Sequence, residues 1–477
     1  MKNDNILKGP LSRDLHRREF ISTALTAAVG TALFPMIGCA DPSSMSADPW
    51  LYVKTLKQQF QPPRFADRDF PITDFGAMGD KKTDCTDAIN QAIKACSEAG
   101  GGRVVVPAGE YRTGAVHLLS NVNLHIQEGA ILSFYTDPAR YLPHVFTRFE
   151  GTEYMGYSPL IYAYEQENIA ITGKGTLDGH AKFENWWSWK EGKAGNPPVN
   201  PTKDALTAMA DEGVPPEKRV FGDGSRLRPS FVQPYKCRNV LIEGVRVRRA
   251  PFWQLHPVLC TNVIVRGVNV KSHGWNNDGC NPESCRYVLI ENCRFDTGDD
   301  CIAIKSGRNT DGRRVGVPSE DILVTGCEMK AGHGGVVIGS EMSGGARNIF
   351  VEDCRMSSPD LWYMLRIKTN SLRGGFVENV HVRNIKVGTI GKAAIRINFH
   401  YAKGDVGEFV PSVSNVSVTD VTGENIRQVL SLQGYERSPI KDVHISHCRF
   451  KGVKKADIVE HVENLVMDDV YSDFVSG

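Results

Sequence analysis

The sequence predicts an all-β fold: a single-stranded, right-handed parallel β-helix with a short N-terminal capping helix. Three observations lead there. Short alternating strands recur at coil-like intervals, one amphipathic helix precedes them, and the same residue types return at the same place in each unit.

The repeat is the strongest of the three. Each unit opens on a polar or aromatic residue, alternates apolar and polar, and reaches a small apolar residue or Cys at the sixth place. Units open at Asn239, Asn262, Tyr287, Asp321, Asn348, Asn379, Asn415, Asp442 and Asn464, with earlier ones at Asn121 and Asn168. Start-to-start intervals between Asn239 and Asn464 run from 22 to 36 residues. A coil of about 22–25 residues with irregular insertions suits a parallel β-helix, whereas propeller blades are longer. Side chains on a strand alternate between its faces. The sixth-place residues Val245, Val268, Cys293, Cys327, Cys354, Ile385, Val421, Cys448 and Val470 therefore stack inside, and the cysteines act as small buried hydrophobes.

Ahead of the repeat, residues 84–99 show helical periodicity, with Ala88, Ile89, Ala92, Ile93 and Cys96 on one face. Thr83 is placed to cap its start, and Gly100-Gly101-Gly102 stops it. Such a cap keeps the first coil's edge from pairing with other chains. Residues 180–229 break the period. Rich in Trp and Pro, they read as a long loop, either surface decoration or a wall of a cleft.

The chain has 477 residues, 41% hydrophobic and 23% charged, with a net charge of +1. That composition is globular rather than disordered, and the charge gives no bulk attraction to nucleic acid or membrane. Residues 1–40 read as an export signal. Arg17-Arg18-Glu19-Phe20-Ile21 precedes an uncharged stretch, a pattern resembling a twin-arginine signal. Met36-Ile37-Gly38-Cys39 resembles a lipidation site at Cys39; a cleaved signal with an incidental cysteine fits the same residues. Residues 41–66 read as a tether and 67–477 as the catalytic β-helix. Of 12 cysteines, 11 remain without Cys39, an odd number that leaves at least one unpaired. Transport of a chain folded in a reducing cytoplasm agrees with that. The expected location is the periplasm or cell envelope, with membrane contact only through the lipid.

The register gives chemical meaning to a few residues. Gly298-Asp299-Asp300 and Gly332-His333-Gly334 stand at the same distance past their coil openings, so they fall on neighbouring rungs. Asn276-Asn277-Asp278 lies one coil earlier, and Arg366-Ile367-Lys368 one coil later. Crowded carboxylates repel one another and raise at least one pKa. Glycoside hydrolysis needs such a pair, one carboxyl to donate a proton and another to activate water or attack carbon. No CxxC, HExxH or EF-hand pattern is present, so no metal or cofactor is expected.

These four tripeptides, in order and at coil spacing, resemble the motifs of glycoside hydrolase family 28, the polygalacturonases. Residues 74–114 resemble the N-terminal cap of pectin-degrading β-helix proteins. Asn277 departs from the family pattern, which commonly has Thr there. The resemblance implies Asp299 as general acid, Asp278 and Asp300 on the attacking water with inversion, and His333 supporting the acid. It implies that Arg366 and Lys368 bind the substrate carboxylate, a role that suits a guanidinium. Asn276 and Lys305 join them as substrate-binding candidates. Gln254, His256 and Tyr401 are weaker cleft candidates. The run 334–345 resembles bacterial exo-acting members, and the tryptophan-rich insertion is a candidate for the block that exo-action requires. The expected partner is a pectic polysaccharide or oligogalacturonide, with no nucleic acid. A rhamnogalacturonan hydrolase, a lyase of the pectate type and a non-catalytic carbohydrate-binding β-helix stand as alternatives.

Overall fold

A computed structural model of the chain describes residues 48–192 and 198–474. The export segment read over 1–40, with Cys39, lies outside the described residues.

Strands stack coil upon coil in parallel, in sheets of 22 and 6 strands and a smaller one of 3 at the early coils. One apolar ladder shows the register. Ile169 pairs with Val240, Val240 with Val263, Val263 with Val288, Val288 with Ile322 and Ile322 with Ile349. Through Val380, Val416 and Val443 it continues to Leu465. The predicted sixth-place residues are buried from Val245 to Cys448; Val470, on the last coil, is only partly so. All 11 described cysteines are free and buried.

The residues that open each unit have a common geometry. From Asn121 to Asn464 every one has a positive φ, between 52° at Asn168 and 64° at Asn121. Asn and Asp tolerate this left-handed region best among residues with a Cβ. Their side chains also form a ladder. Asn168 Nδ2 donates to Asn121 Oδ1 at 3.1 Å, Asn239 to Asn168 at 2.9 Å and Asn262 to Asn239 at 2.9 Å. Beyond Tyr287 the ladder resumes with Asn348 on Asp321, Asn379 on Asn348 and Asn415 on Asn379. Each such bond stabilises by about 0.5–1.5 kcal/mol net.

Three expectations need correction. Helix α2, Thr86–Glu98, caps the coils as expected, but Thr83 does not start it. Thr83 bonds back to Asp80, and the Asp84 carboxylate accepts from Thr86 N. The tether reading fails over its second half. Helix α1, Trp50–Gln59, lays Trp50, Val53 and Leu56 on Leu241, Ile264, Leu289, Leu323 and Phe350, on the outside of the large sheet. Its Tyr52 hydroxyl donates to Asp321 and its Lys57 pairs with Glu352. The long insertion is not a plain loop either, because it carries helix α3, Asn200–Asp211. Trp186 and Trp189 are buried in the main core, with the Trp186 ring 5.9 Å from Tyr141.

Candidate active site

The candidate side chains rise from one face, built on the strands Ile302–Ile304, Val336–Gly339 and Tyr363–Lys368. Cys280 pairs with Ile302, Ile302 with Val336 and Val336 with Leu365. Counting back along these pairs puts Asp278 opposite Asp300 and Asp299 opposite His333. The three predicted carboxylates and the histidine therefore occupy two adjacent rows. Glycines allow the close approach. A Cβ on Gly332 would stand 2.7 Å from the Asp299 carbonyl, and one on Gly298 would strike the backbone of His273 and Gly274.

Asp278, Asp299, Asp300, His333, Asn276, Lys305, Arg366 and Lys368 all line one cleft of about 460 Å³. His333 Nδ1 lies 2.9 Å from Asp299 Oδ1, and its ring stacks on Trp362 at 3.8 Å. Lys368 Nζ donates to Asp300 Oδ2 at 2.7 Å, and Arg366 Nη1 stands 3.8 Å from Asp300 Oδ1. Asn281 Nδ2 donates to Asp278 Oδ2 at 2.7 Å, while Lys305 Nζ lies 3.6 Å from that oxygen and 3.1 Å from Glu341. Lys305 is buried, its ammonium 4.4 Å from the centre of the Trp253 ring. Asn276 Oδ1 accepts from Arg228 Nη2 at 2.7 Å.

Asn277 points away from the cleft. Its amide donates to Ala250 O and Phe252 O, and its carbonyl accepts from Ser272 and Gly274. A threonine could not make all four bonds, so this departure ties the turn that carries Asp278. Gln254 and His256 are corrected as cleft candidates. Both are wholly buried, and His256 Nε2 bonds Glu283 at 2.8 Å. Tyr401 does line the cleft, as do Lys190 and Lys203 from the tryptophan-rich insertion, which makes that insertion a wall. Periodicity missed Glu150, Glu341 and Arg373, which come from irregular segments. Trp362 was within its reach, being the rung partner of His333.

The carboxyls do not share one electrostatic environment. Burial, and then the charge on Asp299, push Asp278 well above the usual carboxylate range. Burial also works to raise Asp299, but the His333 hydrogen bond and charge, with Lys368 and Lys305, overcome it and hold Asp299 at about 2. These surroundings favour a proton on Asp278 over one on Asp299. A buried carboxyl, Asp278, and a partly buried one, Asp299, with proton affinities driven apart beside a cationic wall, are equipped for acid–base cleavage of a glycosidic bond.

A fold of this kind with such a cleft defines a carboxylate-dependent glycoside hydrolase. The family model described as glycosyl hydrolases family 28 matches residues 218–468, and one described as rhamnogalacturonase A/epimerase, pectate lyase-like, matches residues 70–125. An exopolygalacturonase structure from Thermotoga maritima is 45% identical, covers 88% of this chain and 95% of its own, and superposes with a TM-score of 0.85. The exo-poly-alpha-D-galacturonosidase of Dickeya chrysanthemi is 26% identical over 446 residues, 85% of this chain and 71% of that protein. A family 28 exopolygalacturonase from Yersinia enterocolitica, 23% identical, shares the fold with a TM-score of 0.69 over 86% of this chain and 76% of its own. The chain belongs to glycosyl hydrolases family 28, and its fold is the right-handed parallel β-helix.

Proposed function

We propose that the protein is an exo-acting, inverting hydrolase of α-1,4-linked galacturonan. The observation that supports this reading is a hairpin packed beside the cleft. The antiparallel hairpin of Val145–Phe149 and Thr152–Gly156 covers the coils that precede the carboxylates. Thr147 bonds Gln233, and Arg148 bonds Tyr235 and Glu283. Glu150, at the hairpin tip, lines the cleft and bonds Lys203 and Arg308 at 2.6 Å each. In this reading the hairpin blocks the cleft on that side, and a polysaccharide enters by its end. Relatives named for exo-action on polygalacturonate support the substrate.

In this reading Asp299 protonates the leaving oxygen, and Asp278 with Asp300 activates water on the other face of the sugar. A uronate seated on Arg366 and Lys368 would offset the cationic field that keeps Asp299 ionised, so substrate binding moves the shared proton towards Asp299. The raised proton affinity of Asp278 favours a second reading in which Asp278 is the acid. An aryl galacturonide with a good leaving group separates the two, because its departure needs no proton. Asp299→Asn should lose about 100- to 10,000-fold on polygalacturonate and recover most of it on the aryl substrate, while Asp278→Asn recovers nothing. The reverse pattern would exchange the roles. Release of monogalacturonate of inverted configuration, followed by chromatography and NMR, tests exo-action and stereochemistry; larger products or retention would sink them. We also propose export with a lipid anchor at Cys39.

A further inference from the structure

The row that carries Asp299 does not end at His333. Lys368 pairs with Asn398 in the chain of partners that sets Trp362 opposite Lys392. Ile395 pairs with Leu430, which sets Lys392 opposite Arg427, and Lys454 N donates to Arg427 O. The row therefore reads Asp299, His333, Trp362, Lys392, Arg427, Lys454, one residue per coil. Rungs of a β-sheet are about 4.8 Å apart, close to the length that one sugar adds to an extended polysaccharide.

We infer that Lys392, Arg427 and Lys454 form a cationic track for the uronate carboxylates of the leaving part of the polymer, an inference that rests on the galacturonan reading above. Three observations carry it. Among the described residues none of the three cations forms an ion pair with a carboxylate. Lys392 lies 3.1 Å from the centre of the Trp362 ring and faces two further cations, Arg366 and Arg396. Two acids border the last turn, and both are engaged by backbone: Asp457 bonds Leu430 N at 2.8 Å, and Asp473 accepts from Gly452 N and Val453 N at 2.8 and 2.9 Å. Second, a groove of about 380 Å³ runs beside the row, lined by Thr389, Asn425, Arg427, Lys454 and Lys455. Third, the hairpin tip at Glu150 lines the cleft and is tied to Lys203 and Arg308, so under the exo-acting reading above the rest of the polymer extends over these coils. Exposed cations held near one another without counter-charges are unfavourable unless an anion joins them, and a polyuronate supplies one carboxylate per residue. Trp362 adds an apolar face between the acid and the track, suited to a sugar ring.

The test uses the full-length enzyme on hexagalacturonate and digalacturonate, and reads the ratio of their kcat/KM values. The shorter substrate ends before the track, so it serves as the internal reference. Arg427→Glu/Lys454→Glu should lower the ratio by about fivefold or more, the scale of two exposed charge contacts. The wild-type ratio should also fall with added salt, because screening weakens exposed contacts, and the variant should have lost that dependence. Arg427→Gln/Lys454→Gln, which keeps the side-chain bulk, should give a smaller fall in the same direction and guards against misfolding of the charge-reversed protein. A ratio unchanged in both variants would overturn the track while leaving the galacturonan reading intact. A wild type inert on both substrates would overturn that reading, and the track with it.

Discussion

Asp278 is buried with its carboxyl beside Asp299, and both burial and that neighbour raise its proton affinity. Such a group binds a proton in the folded chain that it has already lost in the unfolded one. Where the native state holds more protons, stability falls as pH rises. The window opens near the unfolded value of about 3.9 and extends up to the raised value. Asp299 has the opposite sign. Held at about 2, it contributes stability above the unfolded value that is lost as the pH falls towards 2. Asp278→Asn keeps the Asn281 contact and leaves Lys305 paired with Glu341, so it removes mainly the cost of holding a proton there at neutral pH. Thermal unfolding across pH should show the variant more stable than the wild type at pH 7, with the gap closing near pH 4. A constant gap, or a less stable variant, would contradict the raised carboxyl. The four chemistry-bearing tripeptides could be read from the sequence because they keep the coil register. Glu150, Glu341 and Arg373 could not, since each sits on an irregular segment whose path no periodicity encodes.

At the scale of elements, the hairpin is held by buried charge. Arg148 and Glu283 are fully buried and 3.0 Å apart, with Glu153 3.1 Å from the same guanidinium. Against burial, which opposes the charge, Tyr235, Glu283 and Glu153 hold Arg148 protonated. Breaking a buried pair by removing one partner leaves an uncompensated charge and costs about 3–5 kcal/mol. Arg148→Met should lower stability on that scale in denaturant unfolding. It should also loosen the wall of the cleft, so products longer than the monomer appear in chromatography. An unchanged product pattern in a clearly destabilised variant would mean that the hairpin is not what enforces end-entry. The sequence carries little trace of this element, because an antiparallel pair inserted between coils shares neither their period nor their pairing. Helix α1 was missed for a related reason. Its Trp50, Val53 and Leu56 match an outer apolar stripe of Leu241, Ile264, Leu289, Leu323 and Phe350, and that stripe exists only once the coils are stacked. The capping helix α2 was legible since its apolar face is complete within its own residues.

At the scale of the whole molecule, charge is nearly balanced at +1 but unevenly placed, with cations gathered along the cleft and the rungs beyond it. A net charge this small supplies no general pull towards an anionic bilayer. Among the described residues, no helix is long and apolar enough to cross a membrane. The apolar face of α1 is spent on the sheet and is not available to a bilayer. The membrane association we propose is through the lipid on Cys39. Each buried methylene of such a chain adds about 0.8 kcal/mol, and stable anchoring takes more than one acyl chain. Because the candidate cleft is lined by residues between Glu150 and Ala402, far along the chain from Cys39, loss of the anchor should not touch the chemistry. Cys39→Ser should shift the protein from the membrane pellet to the soluble fraction in cell fractionation, with its specific activity on polygalacturonate unchanged. A variant that still sediments would assign membrane binding to the folded surface. A wild type found entirely in the soluble fraction would favour a cleaved signal with an incidental cysteine.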